Sequence, residues 1–567
     1  MTATMADLVV HPALVMLAGA LALPMFRNAL RSIVILLVPL LTLALVWHVP
    51  DGPVWQTQFL EHTITPLQGD KLSRLFATIF ALMAAGGGLF ALRQERRLEV
   101  SAAFLYAGSA IGVTLAGDLI SVFVWWELMA VGSTLVIWSQ NDEASYRAAR
   151  RYLMIHLLGG VVLFAGISGH VAQSGSVAFT RMTLDSPAQW LILIGFLVNA
   201  GAPPLSAWLP DAYPEASWSG TVFLSAFTTK TAVYALIRGF PGTELLIWVG
   251  LFMALYGIVY ALLENDMRRI LAYSIVNQVG FMIAGIGIGT EMALNGAAAH
   301  AFTHIIYKAL LLMSAGSVLM MTGRRKCSEL GGLFHTMPLT TVCGSIGALS
   351  ISSFPLTSGF VSKSMVSQAA ADGQLLTVWL LLTAASAGVF LHAGIKFPWF
   401  VFFQKDSGLR PAEPPASMRW AMVLFSLLCI GLGVWTQPLY ALLPYHVEYA
   451  PYTSAHVVTQ MQLLLFSGLA FFVMLPLLKR TLTITLDTDW FWRRSLPVLA
   501  RSISWTVKAA SQRGGDASRR IGHRLFTFLS QQAREDAAPA RLMGTRSMAL
   551  VVLLMLLAYL VAYYSRS

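Results

Sequence analysis

The sequence predicts an all-α polytopic membrane protein of about 14–16 transmembrane helices, and three observations support this fold class. The 567-residue chain is 56% hydrophobic and only 11% charged, whereas soluble domains carry about 25% charged residues. Its apolar residues are concentrated in about sixteen segments, most of them long enough to cross a bilayer core as helices. Clusters of Lys and Arg lie in alternate connections between these segments, as expected when alternate loops face the cytoplasm.

The predicted helices follow from the apolar segments in chain order. They are 8–25, 29–48, 72–93, 100–116, 118–138, 149–171, 188–203, 220–238, 244–264, 270–288, 293–321, 338–356, 373–403, 418–436, 457–478 and 547–564. Segments shorter than a full crossing predict tilted or broken helices. The first segment lacks a preceding charged region and a clear cleavage site, so we expect a retained helix and not a signal peptide.

Basic clusters predict the orientation of the chain. They follow odd-numbered segments, for example Arg27 and Arg31 after the first, and Arg268 and Arg269 after the ninth. By the positive-inside rule we expect the odd connections in the cytoplasm and the N-terminus outside, in a bacterial inner membrane. These clusters and their attraction to anionic lipid account for the net charge of +11, so no nucleic-acid partner is predicted.

The C-terminal part changes character after the fifteenth segment. Residues 481–546 are rich in Arg, with aromatic and aliphatic residues interleaved. This pattern predicts amphipathic helices on the cytoplasmic surface of the membrane or of a partner. Residues 547–567 are predicted to be a terminal transmembrane anchor. The alternative is a flexible basic linker that leads to the same anchor.

Two stretches break an apolar run in the same way. One runs from Gly195 to Asp211 and contains Pro203 and Pro204, and the other runs from Gly347 to Lys363 and contains Pro355. Non-helical backbone at membrane depth is tolerated only where protein or water satisfies it. Paired interruptions in two halves of a chain are typical of inverted repeats with an ion path between them. The alternative is two ordinary proline kinks.

Three ionisable residues share one face of the eleventh segment. His300, His304 and Lys308 are spaced four residues apart, and each step rises about 6 Å while turning only about 40° around the axis. Ionisable groups at membrane depth are costly and face the protein interior or a water path. A metal site is a weaker alternative, because Lys is not a ligand at neutral pH and no Cys or carboxylate lies on that face.

Four further charged residues lie in apolar runs: Glu127, Lys230, Lys363 and Lys396. We predict that they extend the line of buried protonatable groups, although Glu127 could form a structural ion pair and Lys396 could snorkel to the surface. Neutral His accepts protons near pH 7, and a neighbouring charge changes that affinity in a poorly screened interior. Moving one proton therefore biases the next site, which predicts a proton relay along these groups.

These residues lie in motifs that resemble a known family. The sequence is similar to the antiporter-like membrane subunits shared by respiratory complex I and Mrp-type Na⁺/H⁺ antiporters, and most like the D-type subunits of the Mrp group. The stretches that carry the resemblance span about residues 70 to 400: WWELMAVGS, AGAPPLSAWLPDAYPEAS, FLSAFTTKTAVYALIRGF, ENDMRRILAYSIVNQVGF, HAFTHIIYKALLLMSAGSV and ELGGLFHTMPLT.

The resemblance implies a domain organisation and a site. It implies six parts: N-terminal helices 1–98, a first antiporter repeat 99–265, a second repeat 266–404, core helices 405–480, the basic segment 481–546 and the anchor 547–567. It also implies that the central hydrophilic axis is lined by Glu127, Lys230, His300, His304, Lys308 and Lys363. No cofactor belongs to these subunits in the family, and the sequence has no Gly-rich dinucleotide loop or cysteine cluster.

The chain departs from the family pattern at two positions. Asn199 stands where the family usually has a Lys paired with the Glu on the fifth helix, so we expect Glu127 to pair with Lys230 or to be protonated. Arg268 stands where Lys is common, which predicts a fixed charge at the cytoplasmic end.

The resemblance implies part of a transporter and not an enzyme. The expected function is that of a membrane subunit of a multi-subunit Na⁺/H⁺ antiporter, with other hydrophobic subunits as partners. One alternative is a proton-translocating subunit of an NADH–quinone oxidoreductase or membrane-bound hydrogenase. The other is a membrane scaffold that has lost transport, which the neutral Asn199 would mark.

Overall fold

The computed structural model describes residues 9–476, together with Asp487 and Val498. The contacts divide the chain into two units, Met1–Thr485 and Leu486–Ser567, and the architecture below is that of the first unit. The predicted amphipathic segment 481–546 and the anchor 547–567 lie outside the described residues, apart from Asp487 and Val498.

The described part is built almost entirely of helices, as the sequence predicts. The helices are α1 (Pro12–Ala22), α2 (Asn28–His48), α3 (Lys71–Phe90), α4 (Arg97–Leu115), α5 (Leu119–Trp138), α6 (Glu143–Ser174), α7 (Pro187–Ala200), α8 (Trp208–Ala212), α9 (Gly220–Leu224), α10 (Thr228–Gly239), α11 (Leu245–Leu263), α12 (Met267–Ile288), α13 (Glu291–Thr322), α14 (Pro338–Ile351), α15 (Ser358–Asp372), α16 (Leu376–Val389), α17 (Ala416–Val434), α18 (Gln437–Tyr440) and α19 (Ser454–Val473). Short 3₁₀ turns cover Leu23–Met25, Ala91–Arg93, Tyr213–Glu215, Cys327–Glu329 and Leu333–His335.

Twelve described helices are long and apolar enough to cross a membrane, and three shorter apolar helices accompany them. Each coincides with one of the first fifteen predicted segments. The spans are those of a multi-pass membrane protein, because their windows are as hydrophobic as bilayer-crossing helices require. The prediction of a polytopic helical fold is therefore confirmed.

The central helices are buried and the outer ones are open to their surroundings. Every residue is buried in the most hydrophobic 18-residue stretch of α12 and of α9 with α10, whereas only 22% and 17% of the residues are buried in the corresponding stretches of α2 and α19. The exposed faces of α2 and α19 carry apolar side chains such as Leu37, Leu41, Phe466 and Leu469, which suits contact with lipid chains.

The breaks in the helices coincide with the proline-containing stretches. The helix α7 ends at Ala200, Gly201 adopts a left-handed conformation, and α8 begins at Trp208. The indole of Trp208 donates to the carbonyl of Val198 over 3.0 Å, so a side chain satisfies a backbone group near the break. In the second half, α14 ends at Ile351 and α15 begins at Ser358.

Besides the short helices α8 and α18, four features of the fold are not in the sequence prediction. The helix α15 lies outside the predicted segments, because its Ser, Lys and Gln residues make it polar although it is buried. A further break at residues 225–227 separates α9 from α10. After α16 the chain continues in π-helical geometry over Phe390–Lys396 and Trp399–Phe403. Finally, two antiparallel strands, β1 (Gly52–Phe59) and β2 (His62–Gly69), form a hairpin.

The hairpin connects α2 to α3 and is fastened by side chains. Asp118 at the start of α5 accepts from the amide of Thr65 over 2.8 Å. His11 lies 3.2 Å from the carbonyl of Pro66, and the indole of Trp55 donates to the carbonyl of Val9. The sequence does not predict these strands, because register shifts interrupt the alternation of polar and apolar residues.

The close contact of α11 with α12 gives a test of the packing. A Cβ added at Gly250 would lie 2.4 Å from the amide nitrogen of Ala284 and from the carbonyl oxygen of Gly280. We expect Gly250→Leu to lower the free energy of unfolding by about 1–3 kcal/mol through overpacking. Thermal unfolding in detergent measures it. The control is Gly431→Leu on α17, where nothing lies within 4 Å; equal losses in both variants would contradict the packing described.

Candidate functional site

The predicted basic and histidine residues meet in the interior of the described part. Lys230, His300, His304 and Lys308 have no exposed surface, and Lys363 and Lys396 are 3% and 5% exposed. They come from α10, α13, α15 and the π-helical segment after α16. The structure therefore brings these side chains inside the protein and not against lipid.

Lys230 lies directly after the break between α9 and α10. Its ammonium group donates to the carbonyl of Ser225 over 2.6 Å and to the hydroxyl of Thr229 over 3.1 Å. Ser225 lies in the gap between the two helices. The break thus supplies an acceptor that a continuous helix would use for its own amides, and this lowers the cost of a buried ammonium.

Lys363 repeats this arrangement in the second half. Its ammonium group lies 3.5 Å from the carbonyl of Ile351, the last residue of α14. It also lies 4.9 Å from the ring centroid of Phe281, a distance at which a cation is attracted to an aromatic face. In both halves a lysine therefore faces a carbonyl at an interrupted helix.

The face of α13 that carries His300, His304 and Lys308 is turned inward. Lys308 donates to the hydroxyl of Ser274 on α12 over 2.8 Å. The rings of His300 and His304 are 6.1 Å apart, centroid to centroid. Neither ring nitrogen of His304 has a hydrogen-bond partner among the described residues. The His304 ring is thus able to accept or donate a proton in a region without bulk water.

Lys396 is held at a helix end. Its ammonium group donates to the carbonyls of Ala261, Leu262 and Glu264 over 3.1, 2.6 and 2.6 Å, where α11 ends. The partial negative charge of a helix C-terminus stabilises a cation in this position. Because its side chain is buried, Lys396 does not snorkel to the surface, and its place on a proton path stays a prediction.

Glu127 lies apart from the lysines. Its Oε1 atom is buried and has no hydrogen-bond partner among the described residues, and it lies against Gly160 on α6. The expected pairing with Lys230 is wrong, because the described ion pairs do not include it and the ammonium group of Lys230 is taken up by Ser225 and Thr229. Of the two expectations for Glu127, pairing with Lys230 and a protonated carboxyl group, only the second remains.

The charges of this interior are one-sided. None of Lys230, Lys308 and Lys363 forms an ion pair within the described residues, whose ion pairs all lie elsewhere. Buried like charges repel strongly because little solvent screens them. A proton placed on one of these groups therefore disfavours a proton on its neighbours, which is the coupling that a relay requires.

Sequence reasoning missed several buried polar residues. Glu99 accepts from Ser217 over 2.7 Å and from Ser219, yet its position among surface-type charges in QERRLEV hides its burial. His156 on α6 and His392 after α16 are 1% and 0% exposed. No Lys, His, Asp or Glu stands three or four residues from His156, so the pattern seen on α13 is absent there. His392 precedes Lys396 by four residues, the same helical spacing as on α13, and this signal could have found it.

Arg268 is expected as a fixed charge at a helix end, and it is 2% exposed. Its guanidinium donates to the carbonyls of Pro214, Ala216 and Ser217 over 2.7–2.8 Å. These carbonyls belong to the turn that joins α8 to α9, so Arg268 fixes the backbone that leads to Lys230.

Comparison with known proteins supports the fold. The family model described as NADH:quinone oxidoreductase/Mrp antiporter, TM matches residues 116–389. The chain is 31% identical over 389 residues to a protein of Rhizobium meliloti named as the A/B component of a probable K(+)/H(+) antiporter, covering 64% of this chain and 39% of that protein. It is 29% identical over 319 residues to the D-type component of the Na(+)/H(+) antiporter of Alkalihalophilus pseudofirmus, covering 51% and 64%.

A solved structure has the same fold. The structure of the Mrp complex from Dietzia sp. DQ12-45-1b contains a polypeptide that superposes with a TM-score of 0.68 at 22% identity, covering 82% of this chain and 99% of that one. The chain spans less than two thirds of the length of the two antiporter relatives. The matched residues include Glu127, Lys230, His304 and Lys363.

Arg268 provides a test of how the site is held. We expect Arg268→Gln to lower the free energy of unfolding by about 2–4 kcal/mol, because buried carbonyls lose charged donors. Thermal unfolding in detergent measures this effect. The neighbouring Arg269 pairs with Glu264 over 3.1 Å and its side chain is 36% exposed, so Arg269→Gln should cost less than about 1 kcal/mol. Equal effects would show that the turn does not depend on Arg268.

Proposed function

Because the chain belongs to the transmembrane family of NADH:quinone oxidoreductase and Mrp antiporter subunits, we propose that it is a membrane subunit of a multi-subunit monovalent cation/proton antiporter. The observation that carries the proposal is the buried row of lysines and histidines between two interrupted helices. Such groups at membrane depth cost free energy, and a proton path is the function that explains this cost.

Protons move along the row by successive transfer. His304 lies within electrostatic range of Lys230, Lys308 and Lys363, so it can receive a proton from one side and release it to the other. When Lys230 gains a proton, repulsion favours loss of a proton further along the row. The coupling is reciprocal, so cation binding at one end of the row changes the proton affinity at the other end.

Small movements of the interrupted helices can change how well each lysine on the path is stabilised in its charged form. Each of Lys230 and Lys363 is stabilised by a backbone carbonyl at a helix end, and a small rotation of either helix would change the distance to its ammonium group. The change in this one contact alters how well the charged lysine is tolerated. The repeats to which these helices belong are residues 99–265 and 266–404.

Membership of the family also supports a proposal for the partners, the membrane location and the transported cation. Its partners are other hydrophobic membrane subunits, and the basic segment 481–546 lies on anionic lipid at the cytoplasmic surface, with the N-terminus outside. The location is a bacterial inner membrane. The cation is Na⁺, for which the Alkalihalophilus relative is named, while the Rhizobium relative is named for K⁺.

Lys230 gives the first test of the transport role. We expect Lys230→Met to reduce cation/proton exchange by more than about tenfold, because the first half of the row loses its protonatable group. The measurement is the dissipation of a pH gradient in membrane vesicles on addition of Na⁺ or K⁺. The matched control is Lys71→Met, at an exposed position. Full exchange in the Lys230→Met complex would favour the transport-inactive scaffold.

A second candidate function comes from the family itself, whose description names NADH:quinone oxidoreductase beside the Mrp antiporter. In that case redox chemistry in a neighbouring subunit of an NADH–quinone oxidoreductase or membrane-bound hydrogenase would drive the same proton path. Purification of the intact complex separates the two. Small hydrophobic partners and exchange without an electron donor support the antiporter, whereas flavin and iron–sulfur partners and exchange that requires NADH or hydrogen support the alternative.

A further inference from the structure

Three helices of the first half bring together polar atoms that have no partner within the described residues. They are Oε1 of Glu127 on α5, Nε2 of His156 on α6, and both side-chain amide atoms of Asn199 on α7. His156 and Asn199 are each only 1% exposed. An unpaired polar atom costs about 1–3 kcal/mol in a protein interior, so a group of them in one region requires an explanation.

Glu127 and Asn199 lie against two adjacent glycines of α6. A Cβ at Gly160 would lie 2.0 Å from Oε1 of Glu127, so the carboxyl group rests against the backbone of α6. A Cβ at Gly159 would lie 3.8 Å from Oδ1 of Asn199. His156 precedes these glycines by three and four residues, so it lies on the same face about 5–6 Å away along the axis.

The contacts of His156 fix its tautomer. Its Nδ1 lies 2.9 Å from the carbonyl oxygen of Tyr152, and a carbonyl can only accept, so Nδ1 carries the hydrogen. In the neutral ring Nε2 is then an unprotonated acceptor. The ring is stacked on Tyr152 at 3.9 Å and lies edge-on to Trp208 at 4.6 Å. Packing on both sides holds the basic nitrogen in place.

The set of unpaired groups is the one that a buried water needs. Water in a protein interior makes about three hydrogen bonds to polar groups that lack other partners. A carboxyl oxygen, an imidazole acceptor, an amide N–H donor and an amide carbonyl supply both donors and acceptors. The side chain of Asn199 carries no charge, so its amide can hydrogen-bond to a water molecule between the helices without binding an ion there.

We propose that Glu127, His156 and Asn199 form a hydrated proton-holding site between α5, α6 and α7, in which water joins the carboxyl group of Glu127 to Nε2 of His156. The inference rests on the proposed function and adds a residue to it. The carboxylic acid gives its proton to the water while the water gives a proton to Nε2, which leaves a carboxylate and an imidazolium. No proton is gained or lost in this step.

Hydroxyl groups connect α6, which carries His156, to the start of α10, which carries Lys230. The Tyr152 ring that stacks on His156 has its hydroxyl 3.0 Å from Ser133 and 3.2 Å from Thr228. Thr228 begins α10, two residues before Lys230. The ring of His156 contacts Tyr152 and Trp208, and Glu127 and Asn199 lie against α6 one turn further along.

Exchange by the intact complex in vesicles tests the site through His156→Gln, which keeps a polar side chain but cannot hold a proton. We expect a fall of at least about tenfold in the exchange rate at an unchanged amount of assembled complex. The control is His170→Gln on the same helix, where the ring is half-buried and hydrogen-bonded to Gln189. An unchanged rate in His156→Gln, with Lys230→Met inactive, overturns the inference and leaves the proposed function standing.

A second variant and a second readout cover the case in which His156→Gln fails to assemble. Asn199→Leu removes the amide that binds the water and should also lower the exchange rate. Full exchange in Asn199→Leu overturns the inference. Infrared difference spectra of the unchanged complex, recorded across a pH step, should contain a carboxylic acid signal that is lost in Glu127→Gln. This signal should shift in Asn199→Leu, because the same water binds both side chains, and an unshifted signal overturns the inference.

Discussion

The contact on which the rest of the structure depends is that between a buried ammonium group and a backbone carbonyl at a helix end. Lys230 makes it with Ser225, Lys363 approaches Ile351, and Lys396 makes three such bonds where α11 ends. A continuous helix has no carbonyl to spare, because each one accepts from an amide of the next turn. The ends and interruptions of the helices therefore lower the cost of burying Lys230, Lys363 and Lys396, whereas Lys308 donates to the hydroxyl of Ser274.

This contact also explains the one-sided charge of the interior. Carboxylates beside the lysines would fix their charge in tight ion pairs, and breaking such a pair is strongly unfavourable in a poorly screened medium. Carbonyl dipoles and hydroxyl groups stabilise a cation more weakly than an ion pair does, so the same group can lose its proton. The carboxyl group of Glu127 lies apart, against α6, where it does not neutralise Lys230.

The sequence predicted much of the fold because the bilayer imposes a simple rule on it. Apolar segments of sufficient length became helices, and Pro203, Pro204 and Pro355 marked places where helices end, since Pro lacks the amide that a helix needs. The rule fails for segments that are buried in protein and not in lipid. The polar helix α15 and the break beside Lys230 could not be found by hydropathy, because neighbouring helices and not lipid surround them.

The candidate site follows the same division: Lys230, His304 and Lys363 stand out as charges in apolar runs and do lie inside, whereas Glu99 sits among surface-type charges. The pairing of Glu127 with Lys230 was wrong, because sequence spacing says nothing about which of several buried partners a side chain meets.

By itself, the sequence determined that this chain crosses a membrane many times, where two of its helices break, and which charged residues lie within apolar runs. Those properties depend on local composition, which a bilayer selects directly. Only the tertiary structure decided which carbonyl each lysine faces, that Arg268 holds the turn between α8 and α9, and that Glu127 and Asn199 lie against the helix that carries His156. These contacts join residues that are far apart in the chain, so their geometry exists only once the helices have packed.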